Sequence, residues 1–240
     1  DPELNQGGEP ATFLARAEGV LQKARQQTRL HDYLLDALGN IHALRGERLA
    51  MTGKDPSTEI RAAAESLEAA SALRPWVGHD FSEGAAYQTL ARYQSWVGAD
   101  PGPALEAALR CHRRGLALQP SSSQSRLGLA GTLLDRAEYA LDHGATATAD
   151  IEEARKEIAK VLARQSTSSD VLATNARERM LTALATHDPA PAREALSLQK
   201  RAVATSPSNR DLQIAWGGMA LDASRDLKLP MDAGAASALR

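Results

Sequence analysis

Five segments of this 240-residue chain align with one another without internal gaps, and that self-similarity constrains the fold more than any other feature of the sequence. They are FLARAEGVLQKARQQTR (13–29), EIRAAAESLEAASALRP (59–75), ALEAALRCHRRGLALQP (104–120), DIEEARKEIAKVLARQS (150–166) and PAREALSLQKRAVATSP (191–207). Measured between their last residues, Arg29, Pro75, Pro120, Ser166 and Pro207, the copies are spaced by 46, 45, 46 and 41 residues. Twelve residues before that reference position stand Ala17, Ala63, Ala108, Ala154 and Ala195, and five before it Ala24, Ala70, Gly115, Val161 and Ala202. Ten residues after it come Gly39, Ala85, Ala130, Ala176 and Gly217, and fifteen before it Leu14, Ile60, Leu105, Ile151 and Ala192. Columns that hold their size in one register mark places where neighbouring elements of a stacked array approach closely.

A second helical stretch lies between successive copies: 29–51, 79–96, 123–142, 168–186 and 209–227. Links such as TGKDPST, VGADPGP and HGATATAD follow, where Gly53, Gly98 and Gly144 suit left-handed helix ends and Pro cannot continue a helix. HDFSEG (79–84) reads as a helix start with Ser82 near its cap, and PSSSQSR as a turn and cap between hairpins. Composition agrees: 46 alanines against 4% aromatic residues favour closely packed helices over a thick aromatic core. The expected fold is all-α, a right-handed α-α superhelix of about five elongated hairpins, roughly ten helices with a period of about 45, over residues 10–227. Residues 1–9 are expected to be a disordered or cloning-derived lead, or a cut from a longer chain, and 228–240 a short tail.

The net charge of −2 is not the basic field of a dedicated nucleic-acid binder. One cysteine closes no disulfide within the chain, and no apolar run reaches the length that spans a bilayer. A cytoplasmic setting without nucleic-acid or membrane partners is therefore expected, with homo-oligomer contacts through the array ends.

The pattern resembles the tetratricopeptide repeat: a small residue in the first helix of each hairpin, then Ala, a larger apolar residue, a small residue and Pro in the second. Those second-helix positions are Ala108, His112, Gly115 and Pro120 in one copy and Ala63, Leu67, Ala70 and Pro75 in another, while the first-helix pattern fits best at Leu35, Leu38, Gly39 and His42. The family repeat has about 34 residues, so here the excess falls at the end of the first helix and in the link after it. A period of 45 also lies in the range of HEAT and armadillo repeats. The stretch GADPGPALEAALRCHRRGLALQP is similar to repeat regions that follow protein kinase domains in some bacterial signalling proteins. That resemblance implies a non-catalytic protein-interaction scaffold, the regulatory or recruitment region of a larger bacterial signalling protein such as a Ser/Thr kinase. The alternative is a sensor with a small-molecule or peptide pocket inside the superhelix.

RCHRRG (110–115) holds the one cysteine beside a histidine, but adjacent helix positions diverge by about 100°, so thiol and imidazole do not pair as nucleophile and base. Cys111 shares a column with Val20, Ser66, Glu157 and Leu198, which predicts partial exposure; His112 shares one with Leu21, Leu67, Ile158 and Gln199, which points it into the core. Lys23, Arg114, Lys160 and Arg201 share a basic column, broken at Ala69 and flanked by Arg110, Arg113, Lys156 and Lys200. It is either a solvated outer face or a docking stripe for an acidic segment or phosphates. The family resemblance implies a concave face lined by the first helices, which places Tyr33, Asp36, Asn40, Glu83, Gln124, Asp170, Thr174, Arg177 and Asp211 there. That set is polar and rather acidic; of the Lys and Asn clamp some members use for a C-terminal carboxylate only Asn40 is matched, so a basic or mixed ligand fits better. Trp76, Trp96 and Trp216 serve as interface anchors or as local packing. Walker, G-x-S-x-G, H-E-x-x-H and paired-cysteine zinc patterns are absent, so no catalytic residue, metal or cofactor is expected.

Overall fold

The computed structural model describes residues 10–27, 31–231 and 235–236, and within these it is all-helical. The expected lead over 1–9 lies outside the described residues. Ten helices follow in order: α1 (Pro10–Gln27), α2 (His31–Met51), α3 (Ser57–Leu73), α4 (Val77–Trp96), α5 (Gly102–Leu118), α6 (Ser123–Asp142), α7 (Thr148–Leu162), α8 (Ser169–Thr186), α9 (Pro189–Thr205) and α10 (Arg210–Leu227). The even-numbered helices are the first helices of the hairpins and the odd-numbered ones the second. The chain forms two compact units, 1–128 and 129–240, with α6 running through the boundary.

The links explain the hairpins. In the turns after α2, α4 and α6, Gly53, Gly98 and Gly144 adopt φ of 74°, 76° and 69°, the left-handed conformation that the sequence predicts. The residue after each glycine then donates its N–H back five residues: Lys54 to the Leu49 carbonyl, Ala99 to Gln94 and Ala145 to Ala140, all at 2.8 Å. The last two first helices end in the same left-handed form without glycine, at His187 (φ 54°) and Lys228 (φ 57°). An Asp-Pro pair then precedes α3 and α5, and Asp188-Pro189 opens α9. The carboxylates of Asp55, Asp100 and Asp188 accept from the N–H of Ser57, Gly102 and Ala190, each at 2.9 Å, while the proline takes a position whose N–H is unneeded.

One boundary differs from expectation. The helix containing HDFSEG starts at Val77, because Arg74 before Pro75 is extended (φ −149°, ψ 100°) and ends α3, and Trp76 after it is extended (φ −149°, ψ 133°), so Ser82 lies in the second turn and does not cap. α10 ends at Leu227, and of the described residues after it Leu229 packs with Met180, Ala183, Ala192, Ala195 and Ala223, while Ala235 is fully buried.

Within the first unit α2 packs on α3 and α4 on α5, while α4 also touches α2 and α3. The repeat columns form its core. Ile60 and Ala63 pack against Ala86, Ala91 packs with Ala104 and Leu105, and Ala108 and Leu109 are fully buried. Leu67, also fully buried, fits over Gly39, where a Cβ would lie 2.5 Å from its Cγ; burying such a side chain stabilises by about 2 kcal/mol. In the second unit α8 packs on α7, α9 and α10. Ala154, Ala176, Ala195 and Ala202 are fully buried there, and Gln199, in the column of Leu67, donates from Nε2 to the Leu212 carbonyl at 2.8 Å. By contrast Ala17 is exposed, since α1 packs on α2 alone among the described helices and its other face is uncovered.

Candidate functional site

The two most polar motifs of the sequence, HDFSEG on α4 and RCHRRG on α5, meet inside the first unit. Arg114 reaches across the hairpin, its Nε donating to Asp80 and its Nη2 to Glu83 at 2.5 Å. Asp80 is fully buried and Glu83 is 6% exposed. Burial opposes the charge on Arg114, but the two carboxylates outweigh it and raise its pKa. Cys111 lies beside this pair and is 3% exposed, not partly exposed as its column predicts, because α4 packs on α5 there and brings Glu83 to the thiol. Desolvation, and then the Glu83 carboxylate, push its thiol well above the ordinary cysteine range, which leaves it a poor nucleophile. His112 is in the core as expected, fully buried against the Phe81 ring and clasped between Gly84 and Gly128. Desolvation lowers its pKa to about 4, and neither ring nitrogen has a hydrogen-bond partner. The thiol, the imidazole and both carboxylates of this constellation are thus buried beneath a half-exposed Arg114.

The other residues expected on the concave face are distributed along the first helices. Arg74 donates to the Tyr33 hydroxyl and sits 4.8 Å above its ring. Asn40 donates to Asp36 at 3.1 Å, and His79 lies 3.9 Å from the same carboxylate. Thr174 donates to the Asp170 carbonyl at 2.7 Å, Gln124 and Asp211 are exposed, and Arg177 binds Asp135 at 2.6 Å and also Glu138. Glu83, held by Arg114, does not face solvent. In the basic column and its flanks Lys23, Arg110, Arg113, Lys156, Lys160, Lys200 and Arg201 are exposed. Several are engaged locally: Lys160 with Glu157 at 2.5 Å, and Lys200 over the Trp216 ring at 5.9 Å.

Among the described residues, two open clefts lie at the C-terminal ends of the first helices. In the first unit, a cleft of about 260 Å³ is formed by Glu47, Ala50 and Met51 at the end of α2 with Thr89, Arg92, Tyr93 and Trp96 at the end of α4. Met51 is 79% exposed and Trp96 70%, so this is an apolar surface with one charge of each sign on its rim. The Trp96 ring leans over Gly53 of the preceding link. In the second unit, a larger cleft of about 810 Å³ lies among the ends of α6, α8 and α10. Leu141, Leu181 and Leu184 give it an apolar floor, and Glu138, Asp142, Asp222 and Asp226 an acidic rim. Arg225 is shared between Asp226, at 2.8 Å, and Asp222, at 3.5 Å.

In repeat register both clefts are the same surface. Glu47, Ala50 and Met51 occupy the positions of Glu138, Leu141 and Asp142, in the last two turns, where the hairpins exceed the 34-residue pattern. Sequence reasoning misses these residues because the family's concave register points nearer the helix starts. The signal available is the extra length itself, carrying exposed Met51 and Trp96 where a solvated helix end has no need of them. Among the described residues no group of three or more His, Cys, Asp or Glu side chains is arranged to hold a metal ion, and no helix is long and apolar enough to cross a membrane.

No protein-family model matches the chain, and no curated protein matches it. Among solved structures it is similar to a thermophilic TPR protein of Thermus thermophilus, with a TM-score of 0.60 and 17% identity over 87% of this chain and 91% of that one. At that identity the likeness shows the fold: a tetratricopeptide-like array of helical hairpins.

Proposed function

We propose that the chain is a non-catalytic scaffold that docks segments of partner proteins on its first helices, as the regulatory or recruitment region of a larger bacterial signalling protein such as a Ser/Thr kinase. One observation carries the docking reading: in each unit an open cleft with apolar surface falls on the same repeat positions, the last two turns of the first helices. The polar residues along the same helices, Tyr33, Asp36, Asn40, Gln124, Asp170, Thr174 and Asp211, would extend that surface toward the helix starts. The signalling context rests on the similarity of the 98–120 stretch to repeats that follow kinase domains. The non-catalytic part rests on the burial of the one cysteine and its neighbouring histidine.

A photo-activatable amino acid placed at Met51 and, separately, at Leu184 tests the reading in the native cell. Discrete protein adducts at either position are expected; adducts at neither, with full expression of the folded chain, would refute it. The size of the second-unit cleft also supports the sensor alternative, and a saturable thermal shift with a metabolite, without protein adducts, would favour it.

A further inference from the structure

We infer that the second-unit cleft selects a basic segment, a stretch of partner protein carrying lysine or arginine among apolar residues; this rests on the docking reading above. The cleft has two separable chemistries. Its floor, from Leu141, Leu181 and Leu184, offers apolar contact to side chains that enter it. Its rim brings four carboxylates to bear against one guanidinium, that of Arg225, which two of them already share. Glu138 pairs with Arg177, which is itself divided between Glu138 and Asp135. Lys228 places its ammonium on the Arg225 carbonyl at 2.9 Å and, after Arg225, helps to hold the Asp226 carboxyl below its ordinary range.

The surplus of negative charge is felt within the cleft. Burial lifts the Asp222 carboxyl above its ordinary range, Arg225 pulls it down, and Asp226 one turn along α10 and Glu138 and Asp142 on α6 push it up again. A cation entering between these groups would relieve that repulsion, whereas an acidic segment would add to it. The first-unit cleft provides the contrast: the same helix positions carry Met51 and Trp96 with Glu47 and Arg92 as balanced charges, and there no sign of ligand is favoured.

Three fluorescein-labelled peptides of about nine residues, alternating Leu with Lys, Glu or Gln, are titrated against the full chain at low and high salt. The Leu/Lys peptide is expected to bind tightest and to weaken with salt. Combined Asp142→Asn and Asp222→Asn substitutions should reduce its affinity by about tenfold, while Glu152→Gln on α7 leaves it unchanged. Leu184→Arg, which obstructs the floor, should weaken all three peptides. If the Leu/Glu or Leu/Gln peptide binds as well as Leu/Lys and Leu184→Arg still abolishes it, the basic preference is overturned and the docking reading stands. If none binds, or none responds to Leu184→Arg, the basic selection by this cleft is overturned, while the docking reading is decided by the adducts at Met51 and Leu184.

Discussion

His112 shows how one residue can be legible in its place and illegible in its cost. Its column mates Leu21, Leu67, Ile158 and Gln199 point it inward, and it is fully buried. What no column discloses is that both ring nitrogens lack partners. With a native pKa of about 4 against about 6.5 when unfolded, the ring takes up a proton on unfolding at intermediate pH. Stability from this group is therefore complete above pH 6.5 and is lost as pH falls through 4, by about 3 kcal/mol in all. His112→Leu is expected to stabilise the protein at pH 7 by about 1–2 kcal/mol, since Leu67 already shows that leucine fits over a glycine in this column. It should also remove part of the acid slope; urea unfolding at neutral and mildly acid pH checks both, and an unchanged slope would assign the loss to other groups. Asp222 works in the opposite sense: its raised carboxyl is more readily protonated in the native state, so the strain it contributes is relieved as pH falls. The exposure of Cys111 is not legible from its column, which averages an exposed Val20 with partly buried Ser66, Glu157 and Leu198. The packing of α4 on α5, with Glu83 beside the thiol and Arg114 crossing to Asp80 and Glu83, sets its surroundings, and contacts 31 to 34 residues apart leave no local trace in the sequence.

At the scale of the element, helix ends are the most legible feature. Gly53, Gly98 and Gly144 take the left-handed conformation expected of them, because few other residues adopt it without strain. His187 and Lys228 do the same job against that preference. His187→Gly should stabilise the protein by about 0.5–1 kcal/mol, measured as a shift in the urea midpoint; a destabilised variant would show that the imidazole makes a compensating contact. The helix columns make a complementary prediction. Ala154 is fully buried on α7, and Ala154→Leu should cost about 1–3 kcal/mol by overpacking, whereas Ala17→Leu on the uncovered face of α1 should cost little. The early start of α4 escapes a sequence reading because Trp76 and Val77 follow a proline and resemble a loop; the helix begins as soon as the Pro75 constraint is passed.

At the scale of the whole molecule, a repeat array distributes stability as a sum over neighbours. None of the described side chains of α1 is buried, while α3 buries Ile60, Ala63, Ala64, Leu67 and Ala70. Amide exchange should accordingly be at least about tenfold faster in α1 than in α3; equal protection would mean that the exposed face of α1 is covered in solution. The hairpin architecture can be read from spacing alone, because small residues recur in one register where helices stack closely and seldom otherwise. The clefts cannot, because they depend on which side chains of successive first helices converge at the far ends. That convergence has a further consequence. The size-matched columns of each hairpin lie between fifteen residues before the reference position and ten after it, whereas Glu47 and Met51, like Glu138 and Asp142, lie eighteen and twenty-two after it. The end of the hairpin that meets a visitor is therefore chemically separate from the part that stacks, so each rung can be re-addressed by substitution while the ladder it belongs to stays the same.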